Sequence, residues 1–156
     1  MSHVPHSPGH QRMLAAVLTG PERIELVEVP RPACPEGGLL LKVEACGVCG
    51  SDIRAYHGRK QITEKHAIAG QRLPGHIIGH EIAGRIEAAD PGVTGFHPGD
   101  LVTVAPSLTC GTCDACRRGQ STVCRNYQAI GWQHPGGFAQ YVAVPARLLA
   151  DGSVNR

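Results

Sequence analysis

Four of the seven cysteines fall in the stretch TCGTCDACRRGQSTVCR, residues 109–125. Cys110, Cys113, Cys116 and Cys124 are spaced C-x2-C-x2-C-x7-C, a set from which four thiolates can close a tetrahedral shell around one zinc ion. Ligands two residues apart let backbone amides point back at the sulfurs while the chain turns about the ion, and Gly111 and Gly119 permit such turns. Four thiolates on a dication leave a charge of about −2, and Arg117, Arg118 and Arg125 lie in the same segment to offset it. A closed shell has no position for substrate, so this chemistry is structural: the ion holds a loop that lacks its own core. Two other readings stay open, an iron-sulfur cluster and four free thiols. The first three cysteines fit the bacterial ferredoxin run, but the fourth comes later and lacks the following proline.

Two further stretches have ligand character, ACGVCGSDIRAYHG at 45–58 and PGHIIGHEIAGRI at 74–86. A thiolate from the first and an imidazole from the second would leave positions free for water or substrate, as a Lewis-acid site requires. Spacing alone does not show that they meet.

The rest of the chain must position these groups. Its 156 residues suit one domain, enough to bury about 70% of the surface of the unfolded form. A net charge of +2 is too balanced for a nucleic-acid or anionic-membrane face, which also argues against a zinc-ribbon nucleic-acid module. There is no apolar run of membrane-spanning length and no signal pattern, so the expected location is cytoplasmic, where clustered thiols favour metal over disulfides. With 20 Gly, 12 Pro and 4% aromatics the chain reads as turn-rich and mostly β.

Residues 1–12, with His3, His6 and His10, read as a disordered extension or tag, and 13–156 as one domain. Strands are expected at 13–19 and 23–29 around a Gly20-Pro21-Glu22 turn, with the alternation of the second breaking near Glu28. Others are expected at 39–46, 82–90, 100–106 and 138–146, and short helices at 51–56 and 114–118. Strands of this spacing with few helices indicate a small barrel or sandwich.

Taken in order, G-V-C-G-S-D, G-H-E-x-A-G, the C-x2-C-x2-C-x7-C lobe, G-x-x-P-G-D-L-V at 95–102 and G-G-F-A-Q-Y-V at 136–142 resemble the N-terminal catalytic domain of the zinc-dependent medium-chain alcohol dehydrogenases. The surroundings of Cys49 and Ser51 look closest to the polyol and threonine branches. The resemblance implies a mostly β, GroES-like (co-chaperonin-like) barrel with a cysteine-rich zinc lobe. It implies two Zn2+ ions, a structural one on Cys110, Cys113, Cys116 and Cys124 and a catalytic one on Cys49 and His80. Ser51 matches the position that passes the substrate's proton onward, and Asp52 the carboxylate that orients the ligand histidine. Glu81 is either a direct ligand or an ion-pair or hydrogen-bond partner beneath the metal. Cys46 reads as a small buried strand residue, Cys34 as a loop thiol, and His57, His66 and His76 as surface or packing residues.

Two departures stand out. Arg54 occupies a position where many relatives carry a relay histidine, and a guanidinium cannot accept a proton. The proton therefore passes through other groups or from Ser51 directly to water. The sequence also lacks a G-x-G-x-x-G turn and a β/α second half, so a Rossmann domain is expected to be absent from this chain and to bind NAD or NADP in the full-length parent. The chain is expected to be truncated before that domain, to bind zinc without turnover, to act in its parent on a small alcohol or polyol, and to self-associate or form a homo-oligomer. The alternative is a stand-alone zinc-binding scaffold or interaction module without redox activity.

Overall fold

Alternation in RMLAAVLTG sends Met13, Ala15 and Val17 inward along β1 (Arg12–Gly20), and the Gly20 to Glu22 turn returns the chain as β2 (Arg23–Pro30). The two strands pair antiparallel, with Leu14 opposite Glu28, Ala16 opposite Leu26 and Leu18 opposite Ile24. The alternation of β2 does not break at Glu28, as the sequence led one to expect. Val27 and Val29 face inward, while Ile24, Leu26 and Glu28 share the outer face, with Leu26 78% exposed. The structure, a computed structural model, describes residues 11–59, 66–150 and 152–156. His3, His6 and His10 lie outside them. Arg12 opens β1, and the Gln11 carbonyl accepts the Arg31 N–H at 2.9 Å.

The main sheet has five antiparallel strands: β3 (Leu39–Gly47), β6 (Glu81–Ala89), β7 (Leu101–Val104), β10 (Tyr141–Val144) and β11 (Val154–Asn155), in the order β10-β3-β6-β7-β11. Two-residue pairs join β4 (Ala67–Ile68) to β5 (Gln71–Arg72) and β8 (Ser107–Leu108) to β9 (Gln128–Ala129). Residues 138–140 tie the β1–β2 hairpin to the sheet: Ala16 N–H donates to the Phe138 carbonyl at 2.8 Å, and Gln140 N–H to that of Leu14 at 3.1 Å. The result is the small barrel anticipated from the sequence. One core, with Leu39, Leu41, Ile86, Val102 and Val142, lies on the sheet, and a second, with Met13, Val17, Val29 and Ile77, lies under the hairpin.

Two short helices fall as expected, α1 (Gly50–Tyr56) and α2 (Asp114–Arg117). The expected strand over 138–146 is shorter. It ends at Val144, and Pro145 introduces an unforeseen helix, α3 (Ala146–Ala150), whose Leu148 enters the sheet core.

The register of β3 sets up the site. Its pairing with β6 slips between Val43 and Ala45, so Glu44 is an extra residue, a β-bulge. Leu41 and Val43 face the core before it, Glu44 and Ala45 both face out, and after it Cys46 turns inward. Gly47 is then opposite Glu81.

Candidate metal centres

β3 runs into α1 through Cys49, the extended residue that caps the helix (φ −84°, ψ 155°). Asp52, in the first turn, is only 2% exposed, and its carboxylate reaches in three directions. One oxygen accepts the Cys49 N–H at 2.9 Å; the other accepts the Gly79 N–H at 3.3 Å and lies 3.5 Å from His80 Nδ1. A buried carboxylate needs such partners. Here they join the end of β3 to the segment that leads into β6.

That segment is held from the other side by Gly136 to Phe138, whose amides donate to the carbonyls of Ile77, Gly79 and Ile78 at 2.8, 2.8 and 3.1 Å. The approach is close enough that a Cβ at Gly136 would meet the Gly79 carbonyl oxygen at 2.3 Å, so only glycine fits there. Gly136 and Gly137 thus form a contact surface for the backbone before His80.

These supports bring together three donors far apart in sequence. One atom each of Cys49, His80 and Glu81 lies within 4.8 Å of the others. Ser51 Oγ is 3.4 Å from His80 Nε2. His80 Nδ1 is buried and has no partner within hydrogen-bond distance, with the Asp52 carboxylate the acceptor it faces. A proton on Nδ1 directed at Asp52 leaves the Nε2 lone pair for a cation, the arrangement by which a carboxylate orients a ligating histidine. The donor set of thiolate, imidazole and carboxylate fits zinc and leaves room for a further ligand.

Cys46 takes no part. It projects to the core face, and its thiol is pushed up to about 11, first by burial, which suits an inert packing cysteine. Cys34 is a loop thiol whose Sγ lies 3.5 Å from the Gly38 carbonyl oxygen.

The second cluster is an excursion between the paired β8 and β9. The donor atoms of Cys110, Cys113, Cys116 and Cys124 all lie within 4.8 Å of one another. The Cys113 N–H donates to Cys110 Sγ at 3.3 Å and the Cys110 N–H to Cys124 Sγ at 3.2 Å, the amide-to-sulfur pattern expected from the spacing. Gly111 and Gly119 take left-handed φ values of +68° and +75°. The Cys110 thiol is lowered to about 5, first by the Thr112 backbone N–H and then by that of Cys113. The Cys113 thiol is also lowered, first by the Cys116 backbone N–H. Cys116 is raised to about 11, first by desolvation and then by the neighbouring thiols. Amides directed at sulfur stabilise thiolate, the form in which cysteine holds a metal ion.

Of the histidines read as surface or packing residues, His57 pairs with Glu22 at 2.8 Å and His66 is the buried one, 2% exposed. His66 Nε2–H donates to the Trp132 carbonyl at 2.8 Å, and Nδ1 accepts the Ile77 N–H at 3.1 Å. This neutral tautomer pins the backbone before His80. Burial, the largest cause, lowers its pKa below the ordinary 6.5, opposed by the Trp132 carbonyl and assisted by His76 and His134. The unfolded chain therefore takes up a proton near pH 6.5 that the folded chain refuses. Stability is full above that pH and declines as pH falls toward the folded pKa. In urea unfolding followed from pH 7.5 to 5, the midpoint should drop. In His66→Gln, about 1–2 kcal/mol less stable at pH 7.5, the drop should be shallower.

An apolar cavity of about 460 Å3, lined by Pro32, Ile68, Pro135, Tyr141 and Pro145 among others, lies apart from both clusters, and none of the seven donors lines it.

The fold and its two donor clusters define a GroES-like domain with the side chains of a zinc protein. Residues 35–153 match the family described as the alcohol dehydrogenase GroES-like domain, and the chain belongs to that family. It is 40% identical over 147 residues to the L-threonine 3-dehydrogenase of Pyrococcus furiosus, covering 93% of this chain and 40% of that protein. It is 40% identical over 127 residues to the D-altritol 5-dehydrogenase of Agrobacterium fabrum, covering 81% and 35%. Among solved structures it resembles the cobalt- and zinc-bound thermostable alcohol dehydrogenase of Pyrobaculum aerophilum, with a TM-score of 0.71, 36% identity and coverage of 87% and 40%. The chain thus spans about two-fifths of the length of these relatives.

Proposed function

We propose that this chain is the zinc-binding, alcohol-handling domain of a zinc-dependent alcohol or polyol dehydrogenase. The observation that carries the reading is the convergence of Cys49, His80 and Glu81 beside the Ser51 hydroxyl, in a chain of this family. Cys49, His80 and Glu81 would hold the catalytic ion, and Cys110, Cys113, Cys116 and Cys124 the structural one. When bound at the first cluster, zinc supplies a Lewis acid that makes a hydroxyl more acidic.

The chain's own residues then have distinct tasks. Ser51 Oγ takes the proton of the substrate hydroxyl and delivers it to water, since Arg54 in the next turn is an exposed guanidinium that cannot accept it. Asp52 holds the His80 ring and the cap of α1 in one geometry. NAD or NADP, bound outside these residues, would supply the hydride acceptor. Threonine and altritol, the substrates in the relatives' names, both carry secondary hydroxyls, which supports a small hydroxylated substrate of that kind. We read the domain as 13–156 with Gln11 and Arg12 added. We place the chain in the cytoplasm, where clustered thiols stay reduced and available to hold metal. Val48 and Ile53, exposed beside Cys49, support self-association. No helix among the described residues is long and apolar enough to cross a membrane.

Cobalt(II) loading tests this function. The chain should take up two ions, and secondary alcohols or polyols should shift the visible bands of the ion at Cys49. With NAD or NADP and the same alcohols, the 156 residues should form no reduced cofactor. Uptake of one ion, or bands that ignore every alcohol and polyol, would overturn the reading in favour of a stand-alone zinc scaffold.

A further inference from the structure

We propose that Gly47 is a positioning residue for the Cys49, His80 and Glu81 cluster: its missing Cβ is what lets the Glu81 carboxylate lie beside Cys49 and His80. This rests on the metal reading above and concerns the one donor of the three that is exposed.

Gly47 and Glu81 are cross-strand partners at the end of the β3–β6 ladder. The Glu44 bulge sets this phase, sending Cys46 to the core face and leaving Gly47 opposite the outward-facing Glu81. A Cβ placed on Gly47 would lie 2.3 Å from Glu81 Oε2, 3.0 Å from its Cβ and 3.3 Å from its Cδ. The carboxylate is folded back across the space that any other residue would fill. A carbon and an oxygen settle about 3.3 Å apart, so an alanine here would drive that oxygen away by about 1 Å. Such a displacement is enough to spoil a ligand geometry.

The φ angle does not require glycine at this position. Gly47 is not among the positive-φ glycines, whereas Gly79 and Gly131, near the same site, are at +89° and +83°. At Gly84 and Gly136 an added Cβ would strike carbonyl oxygens at 2.5 and 2.3 Å, which the fold cannot move. Among the described glycines, Gly47 alone would bring a Cβ within 3 Å of a charged side chain, and that side chain is a donor. Glu81 is exposed and can swing into solvent. The substitution therefore displaces the carboxylate, while Glu81 Cβ, at 3.0 Å and fixed to its strand, has to give by a few tenths of an ångström at this last pair of the ladder.

The test is zinc affinity at the two sites of the whole chain, read by competition with a chromogenic chelator, with the Cys110 to Cys124 lobe as internal reference. Gly47→Ala should weaken the Cys49 site about 10-fold and leave the lobe unchanged. Glu81→Gln should weaken it similarly, and Gly47→Ala in the Glu81→Gln background should add nothing. Affinity within about twofold of wild type, or a full further loss in that background, overturns the proposal while the metal reading stands. If Gly47→Ala fails to fold, Gly47→Ala/Glu81→Ala decides: recovery of the fold shows that the glycine serves the glutamate, and continued failure shows that it serves the strand. A wild-type chain with no Cys49-dependent ion overturns the metal reading and this one with it.

Discussion

Cys113→Ser should bind one metal ion fewer than the wild-type chain and expose the whole segment from Cys110 to Cys124 to protease, with little change in the strand signal of the sheet. The reason lies in what holds this lobe. Helix α2 has four residues, none buried, and no side chain caps it. An isolated turn of that length is not stable in water. Between Cys110 and Cys124 the only buried side chain is Cys124 itself. The lobe is anchored at its base by the β8–β9 pair, with Ser107 Oγ and the Tyr127 hydroxyl 2.9 Å apart, and above that by sulfur. A serine hydroxyl does not ionise at neutral pH and cannot take the place of a thiolate on zinc. Arg117, Arg118 and Arg125 are exposed, so trypsin reports the opening directly. Stripping wild-type protein with a strong chelator should give the same digest, and zinc should restore resistance. Reloading at pH 7 should release protons, because the thiols of an opened segment are largely protonated at that pH and bind zinc only as thiolates. A visible charge-transfer band in aerobically purified protein would instead point to iron and sulfur. Full metal content and trypsin resistance in Cys113→Ser would show that the lobe stands without an ion.

The two clusters differed in how far they were legible in advance. The lobe is local: its four ligands lie within one turn-rich segment, and the spacing with Gly111 and Gly119 encodes the wrap. The Cys49 site is assembled across β3, α1 and β6. Its members were found through their motifs, whereas their meeting depends on the Glu44 bulge and the Gly136 to Phe138 contact, which no periodicity announces. Gly47 shows the limit most clearly, since an ordinary glycine between two cysteines acquires a role only through the register that puts it opposite Glu81. His66 is one of three histidines read as surface or packing residues, and its burial and two backbone partners separate it from exposed His57. In the sheet, β3, β6, β7 and β10 were legible from short apolar runs between turns, whereas the two-residue β11 was not foreseen. The misreadings came where burial overrides pattern. In β2 the apolar Ile24 and Leu26 face outward, and after Val144 a proline converts an apparent strand into α3.

Asp52→Asn should weaken zinc at the Cys49 site by about 10- to 100-fold while the lobe keeps its ion, although residue 52 is not itself a ligand. The substitution preserves shape and removes charge and acceptor capacity. At present one oxygen accepts from Cys49 N–H and the other from Gly79 N–H while facing His80 Nδ1. An amide has one oxygen and one NH2 group. Whichever way it is placed, its NH2 points at a backbone donor, and if it faces His80 it also opposes the proton on Nδ1. Two consequences follow together. The buried mismatch should cost about 1–3 kcal/mol of stability, readable as a lower urea midpoint with an unchanged slope. His80, no longer held by a carboxylate, loses the bias toward the orientation and tautomer that can ligate through Nε2. A purely structural role for Asp52 would move the urea midpoint and leave metal affinity, measured where the variant is fully folded, at the wild-type value. A role through His80 moves both, and in a His80→Ala background the effect of Asp52→Asn on affinity should vanish while its effect on stability remains.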